Sequence, residues 1–343
     1  MRLRPNIRVL DRGPTALQFG ADPRWATLLT GLSGPERELL LELRGEDRPT
    51  TEALVARSAA RGVPQDRLRA SLAALTAAGL LSPAARATGG ARVPSALLDD
   101  AAAIETSVPG MLGAPTLAAR SAAVVALCGA GRLGMVVAST LAAAGVGSLE
   151  LDDARPVRPA DVGVGGYRER DVGAPRARAA SEVLMRAYPT TRARSGGSVT
   201  PDVVVLVFEE TADPVRTARL MSEGVPHLAV TVREGDVVVG PFVEPGASPC
   251  LTCLDLHRTD QDCSWPEIAP QLRRAGRLAP PAVDSSLAAV AGALAAAHVL
   301  ARLDGFRPAT TGASIEVSIP DAPPRLRRWE MHPNCGCIDV APR

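Results

Sequence analysis

Residues 122–153, AAVVALCGAGRLGMVVASTLAAAGVGSLELDD, decide the fold. Val124–Cys128 make an apolar run of the length expected for a buried strand. GAGRLG, residues 129–134, interrupts it with glycines at G-x-G-x-x-G spacing. An apolar segment closed by Gly145 reads as a helix, and SLELD as a second strand. Strand, glycine turn, helix and strand form a Rossmann unit. Gly129 allows the tight turn, Gly131 lets backbone approach a phosphate, and Gly134 lets helix and strand pack closely. Phosphate would rest on the positive end of the helix, and an acid after the second strand, Asp152 or Asp153, would reach a ribose. The same glycines also serve a turn that holds nothing, so the motif fixes the fold before it fixes a ligand.

Downstream, DVVVLVF (202–208) and HLAVTV (227–232) read as further buried strands. Their alternation with helical patterns predicts a parallel sheet covered by helices on both faces. Upstream, IRVLDRGPTALQFG (7–20) predicts two short strands around a Gly-Pro turn. Three helices follow. SGPERELLLELRG has a serine cap, TTEALVARSAARG is capped by Thr51 and ends at Gly62, and PQDRLRASLAALTAAG sets Leu68, Leu72 and Leu75 on one face. LLSPAARATGGARV (80–93) then reads as a strand and a loose turn. Residues 1–95 thus predict a small winged-helix α+β domain, 96–118 a linker, and 119–343 the Rossmann-type domain.

A chain of 343 residues is longer than one core ordinarily fills. Hydrophobic residues are 46% but aromatics only 3%, so its cores are built from Leu, Val and Ala. All 38 basic residues are arginines, which excludes mechanisms that require a lysine. With net charge +1 and no basic cluster on the third helix, where Arg67 and Arg69 read as solvated charges, no nucleic-acid partner is expected. The start, MRLRPNIRVLDRG, lacks the apolar core of a secretory signal. The apolar part of LAAVAGALAAAHVLARL (287–303) falls short of the roughly 20 residues a bilayer needs. It predicts a tightly packed internal or subunit-interface helix, no membrane partner, and a cytoplasmic protein.

Cys250 and Cys253 in PCLTC, and Cys335 and Cys337 in HPNCGC, are two short-loop pairs far apart in sequence. Thiolates so arranged converge on a tetrahedral site suited to structural Zn2+, with no open position. Disulfides or free thiols are the alternatives, disulfides being disfavoured without a secretory signal. His332 reads as a surface residue, Cys128 as packing, and Cys263 in DQDCSWPEIAP as an incidental loop thiol, with a reactive thiol on a mobile loop as the alternative.

The strand–GAGRLG–helix–LELDD unit, DVGAPRARAA (171–180), PCLTCLDLH (249–257) and HPNCGC (332–337) resemble the ThiF/MoeB family, relatives of ubiquitin-activating enzymes. The resemblance covers residues 119–343 and is greatest to actinobacterial ThiF-like proteins with an N-terminal peptide-binding domain, associated with thiazole/oxazole-modified peptides. It implies a Rossmann-like adenylation domain with a four-cysteine zinc lobe, usually homodimeric. Active members use ATP and Mg2+ to adenylate the C-terminal carboxylate of a small protein. It also implies that the N-terminal domain binds a precursor's leader peptide and presents it to a YcaO-type cyclodehydratase.

Carried onto this chain, cofactor contacts fall on Gly129, Gly131, Gly134, Asp153 and Arg176, and metal ligation on Cys250, Cys253, Cys335 and Cys337. Three positions depart from the family. Val164 in ADVGVG stands where an arginine contacts the triphosphate, Arg176 in GAPR replaces a lysine, and EETADP lacks the magnesium-binding aspartate, with Glu209 or Glu210 nearest. Charge stabilisation by such groups supplies most of the acceleration in nucleotide chemistry. The chain is therefore expected to be a leader-peptide-binding scaffold with a degenerate site and no assigned catalytic residue. Residues 80–93 are the candidate peptide edge and the third helix the candidate groove. An active adenylyltransferase rebuilt around Arg132, Arg168 or Arg170 is the alternative. A nicotinamide-dependent oxidoreductase leaves the cysteines unexplained, and a DNA-binding regulator lacks a basic surface.

Overall fold

The computed structural model describes residues 1–44, 49–82, 93–196, 199–320 and 323–339. It divides into two compact units, Met1–Ala118 and Ala119–Arg343. In the first, β1 (Arg2–Leu3) is followed by β2 (Val9–Asp11), β3 (Leu17–Phe19) and β4 (Thr27–Leu29), an antiparallel sheet with β3 in the middle. Then come α1 (Gly34–Leu41), α2 (Thr51–Ser58), α3 (Gln65–Ala77) and β5 (Leu81–Ser82), which returns to pair with β1. Val9, Leu17 and Phe19 share one core with Leu39, Leu40, Leu54, Leu68, Leu72 and Leu75, while Leu10 and Leu28 are exposed. The leucines of α3 are therefore interior.

Ser33 caps α1, its hydroxyl accepting from the Glu36 N–H at 3.3 Å. The cap of α2 is Thr50 rather than Thr51. Thr50 Oγ1 accepts from the Ala53 N–H at 3.2 Å, while the Thr51 hydroxyl accepts from the N-terminal amine of Met1 at 3.1 Å. Residues 83–92, most of the expected wing and peptide edge, lie outside the described residues. The expected linker is largely helical, with α4 (Leu98–Ser107) followed by α5 (Gly113–Ala122), as its alanine content favours. The helices approach so closely that a Cβ on Gly113 would sit 2.4 Å from the Ala101 carbonyl oxygen.

The second unit runs β6 (Val124–Cys128), α6 (Arg132–Ala143), β7 (Ser148–Asp152), α7 (Arg176–Ala187), β8 (Arg192–Ser195), β9 (Val203–Glu209), α8 (Pro214–Ser222) and β10 (His227–Val232). It continues with β11 (Asp236–Val243), α9 (Leu251–Gln261), α10 (Trp265–Leu278), α11 (Ser285–Leu303), β12 (Ala313–Ser318) and β13 (Arg325–Arg328). One eight-stranded sheet has the order β13-β12-β11-β10-β9-β6-β7-β8. Strands β8 to β10 along that order are parallel, as the sequence predicts, whereas β11, β12 and β13 extend the sheet antiparallel. The reason is local. Only Arg233–Gly235 separate β10 from β11, too few residues for the crossover a parallel neighbour requires.

Among the described residues α11 is the one helix long and apolar enough to span a bilayer. It is instead a core helix of this unit. Ala288, Ala291, Gly292, Ala295 and Ala296 are buried, and it packs on α6 and β11. The strand order reverses between β6 and β9, and the glycine loop emerges at that switch point, where open α/β sheets place ligands.

Candidate functional site

Each glycine of the loop has a steric reason. Gly129 holds φ +103°, and a Cβ there would lie 3.0 Å from the Val207 side chain. At Gly134 a Cβ would fall 2.0 Å from the Gly129 carbonyl oxygen, so helix and loop could not close. Gly131 differs. What approaches it is the protein itself, with Asp161 Oδ1 at 3.4 Å and the Arg176 guanidinium carbon at 3.5 Å from a Cβ placed there.

These two side chains line the inner half of the crevice, which keeps a cavity of about 190 Å³. The Asp161 and Arg176 side chains are 1% and 2% exposed. Arg176 Nε and Nη2 donate to Asp161 Oδ2 at 3.0 and 2.6 Å, and Nη1 donates to Asp153 Oδ2 at 3.1 Å. Asp161 also accepts from the Arg158 N–H (2.8 Å) and from the Arg132 N–H in the first turn of α6 (3.3 Å). A carboxylate thus occupies the positive helix end that the motif offers to phosphate.

Asp153 is similarly saturated. It accepts from the loop N–H of Ala130 at 2.9 Å and from Arg155 Nε and Nη2 at 2.9 and 3.0 Å. Burial alone pushes its pKa up. The Arg155 bonds and the charges of Arg155 and Arg176 outweigh that and hold it below the ordinary range. Arg155 continues to Glu209, donating through Nη1 at 2.6 and 2.8 Å, and these bonds raise its own pKa, the Asp153 bond most. Five side chains therefore form one chain of ion pairs from Asp161 through Arg176, Asp153 and Arg155 to Glu209.

The register of the two glutamates at the end of β9 is clear. Glu209 faces the crevice, whereas Glu210 takes a left-handed φ of +66° and lines a separate cavity with Arg233 and Arg258. Burial, then the Glu234 charge, raises the Glu210 pKa. Val164 packs against the core. Arg132 lines the crevice but donates to the Ala160 and Val283 carbonyls, while Arg168 and Arg170 are exposed and line none of it. The outer crevice remains open, a cleft of about 420 Å³ where Asp152, Arg216, Arg273 and Arg277 meet. Cys128 borders it, and burial, then the Asp152 charge, pushes its thiol up to about 11, consistent with packing rather than reactivity. Sequence reading missed Arg155, Arg158 and Asp161.

The second cluster joins ends of the chain that are distant in sequence. The sulfurs of Cys250, Cys253, Cys335 and Cys337 all lie within 4.8 Å of one another. Cys250 Sγ is 3.9 Å from Cys253 and 3.6 Å from Cys335, and Cys253 is 3.4 Å from Cys337. Sulfurs around one tetrahedral ion with bonds of about 2.3 Å stand about 3.8 Å apart, so the spacing fits a metal and excludes disulfides. All six cysteines are free, and Cys263 is exposed. Cys250 caps α9 and Cys253 lies in its first turn, where the helix dipole favours thiolates. Bonds from the Cys250 thiol and backbone N–H groups draw Cys253 down to about 4, while burial and its sulfur neighbours push Cys337 up to about 12. Four thiols in contact cannot all ionise without a cation. The cluster could hold one metal ion.

His332 is not a surface residue, as expected, but buried. It hydrogen-bonds Asp260 Oδ2 through Nε2 (2.9 Å) and accepts the Asn334 N–H at Nδ1 (3.1 Å). It shapes the HPNCGC turn, since its carbonyl also accepts the Cys335 N–H at 2.9 Å.

The fold is shared with solved structures. The Microcin C7 biosynthetic enzyme MccB in complex with N-formylated MccA matches at TM-score 0.72 and 14% identity, over 98% of this chain and 99% of that one. E. coli MccB with ATP matches at 0.71 and 15%, over 98% of each chain. The protein PaaA matches at 0.70 and 15%, over 95% of this chain and 98% of that one. At these identities the likeness is one of fold. No curated protein matches the chain by sequence. The ThiF family profile matches residues 108–337, well over half the length, and so the chain belongs to the ThiF family.

Proposed function

We propose that this protein is a leader-peptide-binding scaffold of a ribosomal-peptide modification system, in which the N-terminal unit holds a precursor for a YcaO-type cyclodehydratase and the ThiF body no longer adenylates a carboxylate. One observation carries the loss of adenylation, namely the closed chain of ion pairs from Asp161 to Glu209. An adenylation site must offer unpaired cations and a metal to a tetra-anionic nucleotide. Here Arg176 and Arg155 are each engaged by two carboxylates, and Asp161 stands where a phosphate would rest. A triphosphate would meet that negative charge at the helix end and would have to break buried pairs to displace it.

Peptide binding is supported by the small sheet. Among the described residues β2 and β4 each pair on one side only, with exposed Leu10 and Leu28 beside the open edges. An extended peptide can add there as a strand, with apolar side chains setting its register. MccB, of the same fold, has been solved in complex with the peptide MccA. The four cysteines are read as a structural Zn2+ site, and the assembly as a homodimer.

The intact glycine loop beside an open cleft favours a second reading, an ATP-dependent adenylyltransferase of a peptide or small-protein C-terminus. ATP–pyrophosphate exchange on the purified protein, with Mg2+ and the precursor peptide, separates the two. Saturable leader binding without exchange is expected. Peptide-dependent exchange above background selects the second reading, and no leader binding removes the first.

A further inference from the structure

On the sheet face opposite α6 and α7, the connection from β8 to β9 contains no helix among the described residues. A crossover helix there would cover β6 and β7. In its absence a pocket of about 420 Å³ opens, with Ala126 and Leu206 on its floor and Val199 on its rim. Glu150, in the middle of β7, borders this pocket and is 7% exposed. Its Oε2 has no hydrogen-bond partner among the described residues. The neighbouring charges are already matched, Arg216 with Asp152 at 3.1 Å and Arg219 with Glu223 at 2.8 Å. Arg194 stands opposite Glu150 in the β7–β8 register but makes no ion pair with it. The pocket therefore carries one uncompensated carboxylate above an apolar floor, a state that burial makes unfavourable until a cation arrives.

We propose that this pocket binds an organic cation of the alkylguanidinium or alkylammonium class, its head paired with Glu150 and its methylenes lying on Ala126 and Leu206. A bare metal ion is a poor fit, because a hard cation takes six or more oxygen ligands and a single carboxylate is on offer. The pocket adjoins the outer crevice and shares Cys128, Asp152, Leu206 and Arg216 with it, but Glu150, Ala126 and Val199 line this pocket and not the crevice. The inference does not depend on whether that crevice binds ATP.

Titration of the full-length protein with butylguanidinium and agmatine, read by calorimetry and thermal shift, tests it. One saturable site is expected, with n-butanol inert. A charge-assisted pair is worth a factor of ten or more in affinity, so Glu150→Gln should weaken binding at least about tenfold. Val199→Trp, on the exposed rim, should obstruct entry and gives an independent reading if Glu150→Gln folds poorly. A short peptide with one arginine between apolar residues, if it outbinds agmatine, identifies a polypeptide as the source of the cation. The reverse order identifies a free amine, and either order upholds the pocket. Absence of saturation in the native protein overturns the proposal. So does undiminished affinity in Glu150→Gln accompanied by loss in Glu209→Gln, which would assign the cation to the crevice.

Discussion

Asp161 and Val164 stand three positions apart, and their effects belong together. Where the family pattern has an arginine to meet a triphosphate, this chain has a half-buried apolar side chain packed against the core. In the same stretch it has a carboxylate that occupies the helix end and neutralises Arg176. Set against that pattern, the stretch lacks the expected cation and carries an anion at the helix end. That pairing was legible only in part. Val164 stood out against the family pattern, but the reach of Asp161 to Arg132 and Arg176 is a three-dimensional fact that no spacing encodes. Arg155 was hidden for the same reason, two residues beyond an aspartate that had already been noticed. The pairing makes a stability prediction. Asp161→Ala leaves the Arg176 guanidinium buried with one carboxylate instead of two and should cost about 3 kcal/mol, the usual scale for breaking a buried pair. Asp161→Leu combined with Arg176→Met removes both charges, leaves Asp153 its bonds from Arg155, and should cost much less. Urea unfolding of the two variants decides the matter. A double variant at least as unstable as the single one would mean that packing, rather than charge pairing, holds this half of the crevice.

At the scale of elements, what the sequence revealed was what depends on near neighbours. The glycine stops of α2 and α3, the serine cap of α1 and the strand–loop–helix unit all involve residues within a turn or two of one another. The cap of α2 was misassigned because Thr50 and Thr51 are chemically equivalent, and the Met1 amine, distant in sequence, bonds the second. The antiparallel strands β11 to β13 were invisible to periodicity, since pairing Asp236–Val239 with Ile315–Ser318 is a long-range choice. α11 was legible as small-residue packing, and its partner turned out to be α6 of the same chain. The contact between them is severe at one point. A Cβ on Gly292 would lie 2.7 Å from both Cβ and Cγ1 of Val136, a branched side chain with little freedom to move. Gly292→Val should therefore destabilise the Rossmann unit by roughly 2–3 kcal/mol or more despite the better helix propensity of valine. Combining it with Val136→Ala should recover much of the loss. Denaturant midpoints report both, and a Gly292→Val midpoint at or above that of the parent would show that α6 and α11 do not touch there.

For the whole molecule, the cysteine cluster decides how the chain ends. Trp329 to Cys337 have few apolar anchors of their own, and the sulfurs of Cys335 and Cys337 join that segment to the start of α9. The free energy of a structural Zn2+ site, about 10 kcal/mol in small domains, rivals the stability of an entire domain. Without an ion, four thiols share one pocket and most must stay protonated, so the clamp reduces to weak packing. Removing the metal with a strong chelator should therefore lower the melting temperature of the protein and make the chain near Glu330–Asn334 sensitive to protease. Cys335→Ser should do the same without chelator. Acid should mimic the chelator, because every ligand must lose its proton to bind and falling pH restores those protons. The core around Leu39, Leu54 and Leu68 contains none of these sulfurs and should keep its own transition. Elemental analysis should find one zinc per chain, released as the protease site appears. A preparation free of metal, with the tail resistant to protease all the same, would show that packing around Trp329 and His332 holds the terminus and that the four sulfurs only happen to meet.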